Sequence, residues 1–72
     1  MGYGYVAHRR VVVNLHSGVA LAGVITRWRG PFYVLRDVTV HENDGTARAD
    51  GEVVVEKTNV DYIQALDSVR AR

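Results

Sequence analysis

Valine is the most common residue of this chain, with fourteen copies among 72 residues, and many of the valines stand in short runs. A β-branched side chain loses rotamer freedom in a helix and packs well on a pleated strand, so abundant valine favours strands. In residues 9–16, for example, Val11, Val13 and Leu15 fall on one face of an extended chain. No segment keeps a helical period over ten residues. The sequence therefore predicts an all-β protein.

Turn signals divide the chain into five predicted strands: residues 9–16, 19–29, 32–42, 52–57 and 60–66. Residues 43–51 contain two Asp-Gly pairs and no apolar anchor, so we expect an exposed hairpin loop there. Gly23 interrupts the second strand and marks a bulge, a sharp bend or a close backbone approach. Five short strands of this kind predict a small, strongly bent, partly open barrel, either Sm-like or SH3-like.

The length and composition predict a single barrel domain over residues 9–66, with an N-terminal tail at 1–8 and a C-terminal tail at 67–72. The chain has no cysteine, which excludes disulfides and thiolate metal sites. It has neither a membrane-length apolar run nor a signal-peptide core, so the predicted location is the cytoplasm. Eight of the nine cationic residues are arginine, a usage typical of GC-rich bacterial or phage genomes; a phage protein would act in the host cytoplasm.

A partly open barrel leaves two unpaired strand edges, which we expect at residues 52–57 and 60–66. A domain of this size buries only about 60% of the surface that its unfolded chain exposes. Pairing of one edge with the other edge of a neighbouring copy would add the missing apolar burial. Repeated head to tail, such pairing gives a ring when the rotation closes. The chain itself is therefore the first predicted partner.

Residues 9–66 resemble the Sm/LSm (Hfq-like) family and suggest a divergent bacterial or phage member. Three segments carry the resemblance: Val11-Val12-Val13-Asn14-Leu15-His16-Ser17-Gly18 with Leu21-Ala22-Gly23-Val24-Ile25, then Leu35-Arg36-Asp37-Val38-Thr39-Val40, then Asn59-Val60-Asp61-Tyr62-Ile63. The resemblance implies a non-enzymatic protein that forms a homo-oligomeric ring and binds single-stranded RNA through two loops at the pore.

The residues that occupy those two loops differ from the family pattern. The family's Asn position falls on Phe32, and its Arg-Gly pair aligns with Glu56-Lys57. The first loop instead contains aromatic and cationic side chains, which suit sequence-tolerant binding of single strands because any base can stack and any phosphate can pair. The predicted RNA-binding residues are Trp28, Arg29, Phe32, Tyr33, Lys57 and Asn59. The alternative is that residues 28–33 plug the barrel mouth or a subunit interface.

No other chemistry is indicated. His8, His16 and His41 are too scattered to form a metal site, and neither Ser17 nor Ser68 lies in a nucleophile motif, so we expect no metal, no cofactor and no enzymatic activity. The formal net charge of +1 argues against strong electrostatic capture of nucleic acid. Two other functions therefore stay open: a phage or bacterial structural or adaptor ring whose partners are proteins, and a monomeric SH3-like module that binds peptides.

Overall fold

The computed structural model describes residues 9–66, and the predicted tails at 1–8 and 67–72 lie outside the described residues. The described strands are β1 (Arg10–Leu15), β2 (Ala20–Arg29), β3 (Phe32–Glu42), β4 (Gly45–Ala49), β5 (Val53–Glu56) and β6 (Val60–Ala65). One turn of 3-10 helix, Lys57–Asn59, connects β5 to β6. The antiparallel sheet has the order β4-β3-β2-β1-β6, and β5 pairs with the first half of β3. The predicted all-β, strongly bent, open barrel is confirmed.

The prediction of an exposed loop over residues 43–51 is wrong, because strand β4 lies inside this segment. Residues Val38–Glu42 of β3 pair with β4, and only Asn43 and Asp44 turn the chain between the two strands. The side chains of β4 are largely exposed, so the backbone ladder holds this strand in place. Such a ladder does not depend on apolar side chains, and the sequence pattern therefore gave no sign of it. The sheet accordingly has six strands where five were expected.

The sheet bends at Gly23, where the pairing between β2 and β3 is irregular. The register shifts between Ala22 and Val24, so that Gly23 stands opposite an extra residue in β3. A Cβ atom on Gly23 would lie 2.9 Å from the carbonyl oxygen of Arg36, closer than real Cβ contacts allow. Both the bulge and the close approach expected at Gly23 are therefore present. On one side of the bend β3 pairs with β5, and on the other side it pairs with β4.

Asp37 lies at the bulge of β3, and its φ of 56° is in the left-handed region. An L-residue in this region is strained by roughly 1–2 kcal/mol relative to right-handed conformations, although Asp tolerates it better than most. We expect Asp37→Val to lower the free energy of unfolding by about 1–2 kcal/mol, and Asp37→Gly to leave it unchanged or raise it. Chemical denaturation of the two variants measures the difference. Equal stability of the Val and Gly variants would show that the bend places no conformational demand on this position.

The core fills the inside of the bent sheet with side chains from β1, β2, β3 and β5. Its buried members are Val11, Val13, Leu21, Ile25, Tyr33, Leu35, Val38 and Val55. The register explains this set, because Val13 stands opposite both Leu21 in β2 and Ile63 in β6. Val11 and Val13, which the sequence placed on one strand face, are both fully buried.

Three strands pair on one side only within residues 9–66. β4 and β5 each pair with β3 alone, and β6 pairs with β1 alone. The two strands expected at the edges, β5 and β6, are therefore edge strands, and β4 is a third. Val54 of β5 and Tyr62 of β6 are 59% and 54% exposed, which is unusual for large apolar side chains on a strand. The two predicted edges thus carry apolar surface that nothing in the described chain covers.

Candidate functional site

Two turns that are distant in sequence meet at one edge of the barrel. The backbone N–H of Lys57 donates a 2.8 Å hydrogen bond to the carbonyl oxygen of Pro31. Beside this bond, Phe32 of β3 pairs with Glu56 of β5. The β2–β3 turn and the 3-10 turn Lys57–Asn59 are therefore joined through the backbone. We call this place the loop edge and define it by residues 28–33 and 56–59.

The β2–β3 turn is tight and carries its aromatic and cationic residues on the two strand ends. Gly30 has a φ of 53°, and the ring of Pro31 fixes the next φ near −65°. A positive φ followed by a negative φ matches a type II′ hairpin turn, which takes Gly at its first central position. The turn places Arg29 opposite Phe32 and Trp28 opposite Tyr33. Arg29 is exposed, and Trp28 is 36% exposed.

Tyr33 belongs to the core although it lies within the loop edge. Its side chain is only 6% exposed and packs with the buried cluster. The ammonium nitrogen Nζ of Lys57 lies 5.2 Å from the centroid of the Tyr33 ring, within the range of a cation–π contact. The Tyr33 ring therefore contacts the ammonium group of Lys57. Because it is buried, it offers little surface on which a ligand could stack. Among the predicted aromatic residues, Trp28 and the half-buried Phe32 offer more surface.

Asn59 lies at the far end of the 3-10 turn, where it meets the β1–β2 turn. Its carbonyl oxygen accepts a 2.9 Å hydrogen bond from the backbone N–H of His16. Leu15, His16, Ser17 and Asn59 line a small cavity of about 220 Å³. The structure thus brings all six predicted residues to the loop edge, and Asn59 lies at the end of the 3-10 turn that contacts the β1–β2 turn. Sequence reasoning missed the neighbours of Asn59, because only the β1–β6 pairing brings residues 15 and 60 together.

Other parts of the described chain show little chemistry. Within residues 9–66, no three His, Cys, Asp or Glu side chains are grouped so that they could hold a metal ion. None of the described helices has the length and apolar character that crossing a membrane requires. A cavity of about 270 Å³ at the β3–β4 turn is lined by Ser17, Gly18, Val19, Glu42, Asn43 and Asp44.

The bent, open sheet with a β5–turn–β6 unit is that of the Sm fold. Among solved structures, the chain is similar to a heptameric archaeal Sm protein, with a TM-score of 0.76 and 19% sequence identity over 88% of this chain and 93% of that one. It is also similar to the P. aerophilum SmAP1 heptamer, with a TM-score of 0.77 and 19% identity over 88% of this chain and 85% of that one. No protein-family model and no curated protein matches the sequence. The resemblance to Sm-like proteins is confirmed for the fold.

Proposed function

We propose that the chain assembles head to tail into a homo-oligomeric ring through β5 and β6. Each of these strands has one side without a partner in the described chain, and each exposes a large apolar residue, Val54 or Tyr62. Edge strands of this kind pair readily with another chain. An edge that pairs with a different edge of the next copy is a heterologous contact, and such contacts form a ring when the rotation between copies closes. Both similar Sm structures are heptamers, which agrees with this proposal.

We further propose that the ring is a non-enzymatic cytoplasmic protein that binds single-stranded RNA at the loop edge. The observation that carries this function is the bond from Lys57 to Pro31, because it fixes an aromatic, cationic turn beside a second cation. Trp28 and Phe32 would stack on bases, and Arg29 and Lys57 would pair with phosphates. Asn59 would contact the RNA at the place where the 3-10 turn meets the β1–β2 turn. The ring of Tyr33 would hold the ammonium group of Lys57 in position.

Stacking on aromatic rings explains why the site would tolerate many sequences. Each stacked base contributes about 1–3 kcal/mol and every base has a face to stack, whereas specific readout needs hydrogen bonds to base edges. A ring repeats the loop edge once per subunit, so one strand can engage several copies. Repetition raises the effective concentration of each further contact without any new chemistry.

Replacing Trp28 by alanine tests the loop edge directly. We expect Trp28→Ala to weaken RNA binding about 5- to 150-fold, because one stacking contact of about 1–3 kcal/mol is lost. Fluorescence anisotropy with labelled oligo-U, oligo-A and mixed-sequence RNA measures the affinity. Trp28→Phe is the matched control and should retain most of the binding, since it keeps an aromatic face.

Two results would contradict RNA binding at the loop edge. Wild-type oligomer that binds none of the three RNAs at micromolar concentration would favour the adaptor ring, whose partners are proteins. A Trp28→Ala variant that binds RNA normally but no longer assembles would assign Trp28 to a subunit interface. Light scattering on the same samples separates these outcomes from a general loss of structure.

A further inference from the structure

Arginines from three strands lie on the outer face of the sheet. Directly opposed residues of antiparallel strands share a face. Arg10 stands opposite Val24, and Val24 stands opposite Arg36, so the two arginines share the face that is turned away from the core. The next row on this face runs through Val12, Ala22, Thr39 and Arg48. We call this surface the arginine face and define it by Arg10, Arg36 and Arg48 with the neutral residues between them.

The arginine face is exposed and nearly free of negative charge. Arg10, Arg36 and Arg48 are all exposed, and none of them forms an ion pair with another described residue. The residues between them are small or neutral, and β6 adds Gln64 beside Val12. Neither row contains a carboxylate, and Asp37 lies at the bulge between them. Glu42 and Asp44 lie at the β3–β4 turn, and Asp50 and Glu52 lie between β4 and β5. The exposed Glu56 stands opposite Phe32, on the outward side at the loop edge.

The outward side of β3 links the arginine face to the loop edge. Along β3, Phe32, Val34 and Arg36 alternate with the core residues Tyr33 and Leu35 and therefore lie on the outward side, where Arg36 is exposed, Phe32 is half-buried and Val34 is 8% exposed. Arg29 stands opposite Phe32 and Arg27 stands opposite Val34, so both of these exposed arginines share the outward side. From Phe32 to Thr39 the strand spans roughly 23 Å at 3.3 Å per residue. A nucleic-acid strand that leaves the loop edge along β3 would meet one arginine after another.

We propose that the arginine face binds the phosphodiester backbone of the RNA strand that the loop edge engages. The inference rests on the proposed function for the identity of the ligand, and on charge complementarity for the surface. A guanidinium group presents planar donors that match phosphate oxygens, and in water it stays charged at every relevant pH. Contacts to phosphate position a strand without reading its sequence. The face therefore adds affinity and leaves base preference unchanged.

A salt titration of two charge-matched variants tests the arginine face. Arg36→Gln with Arg48→Gln removes two positive charges from the face, and Ser17→Asp with Asn43→Asp adds two negative charges at the exposed turns. Both double variants change the formal net charge from +1 to −1. The probe is a labelled single-stranded RNA of mixed sequence, and its affinity is measured by anisotropy across a range of salt concentrations. Light scattering confirms that each variant keeps the wild-type mass.

The face variant is expected to lower the slope of log affinity against log salt by about 1.4, since each lost contact to a single strand removes about 0.7. Its affinity at low salt should fall about tenfold or more, while Arg36→Lys with Arg48→Lys should keep the wild-type slope. An unchanged slope in the face variant, or an equal loss in the turn variant, overturns the proposal. If Trp28→Ala weakens RNA binding and the face variant does not, the proposal for the arginine face is rejected and the proposal for the loop edge is kept. If the wild-type protein binds no RNA, both proposals are rejected.

Discussion

Replacing Val54 and Tyr62 by lysine is expected to convert the proposed ring into single chains of 8.0 kDa. Both side chains lie on edge strands and are more than half exposed, so the fold of one chain does not need them. If β5 of one copy pairs with β6 of the next, the double variant brings two like charges together at every interface. Lysine on an edge strand also opposes pairing by itself, as it does on natural sheet edges. Multi-angle light scattering measures the mass of the assembly.

The third edge strand offers a matched control for this experiment. Thr46 of β4 is exposed and lies on an edge that the proposed ring does not use, so Thr46→Lys should keep the wild-type mass. If the double variant stays assembled, the subunit interface does not lie at β5 and β6. A wild type that is already a single chain would exclude both rings and favour the SH3-like peptide-binding module. Circular dichroism separates dissociation from unfolding.

Gly23→Ala is expected to destabilise the protein by about 1–3 kcal/mol, the usual cost of forcing extra atoms into a packed site. The added Cβ would lie 2.9 Å from the backbone oxygen of Arg36 and 3.0 Å from a methyl group of Val38. The oxygen belongs to the backbone at the bend, so no flexible side chain can move aside to relieve the contact. In a domain of this size, each lost kcal/mol lowers the melting temperature by about 4–8 °C. Thermal unfolding followed by circular dichroism measures the shift.

Ala20→Ser is a suitable control for Gly23→Ala. It adds one heavy atom to the same strand, opposite the exposed His41, and should change stability by less than about 0.5 kcal/mol. If Gly23→Ala melts at the wild-type temperature, the backbones of β2 and β3 can separate at the bend without cost. The close approach would then not explain why a glycine interrupts this strand.

Local sequence patterns predicted most of the fold because strand formation here follows side-chain character. Five predicted strands agree with observed ones to within one residue at each end, and the bend at Gly23 was expected where it occurs. The missed strand, β4, is instructive. Its residues, Gly-Thr-Ala-Arg-Ala, bury almost nothing, and it exists because β3 continues far enough to offer a free ladder. Backbone pairing of this kind leaves no hydrophobic pattern in the sequence.

The candidate site was predicted as a set of residues, but their roles depend on long-range pairing. The alignment of β3 with β5 carries Lys57 to Pro31 and to the ring of Tyr33. The same alignment places Tyr33 beside the buried Val55, its partner in the register, and no local pattern indicates this. Trp28, one position before the exposed end of β2, keeps more of its surface. Two aromatic residues of one hairpin, Trp28 and Tyr33, thus divide between surface and core.

The sequence by itself determined where the strands run, where the chain turns and where β2 must carry a glycine, since these features depend on neighbouring residues. Only the tertiary structure decided how charge is distributed. A net charge of +1 describes a weakly charged chain, yet antiparallel register places Arg10, Arg36 and Arg48 on one face. The bulge at Asp37 is essential to this, because three regular strand steps from Arg36 would put Thr39, and Arg48 opposite it, on the other side of the sheet. Side-chain direction in a sheet is set by register, and register is set by pairing between distant segments.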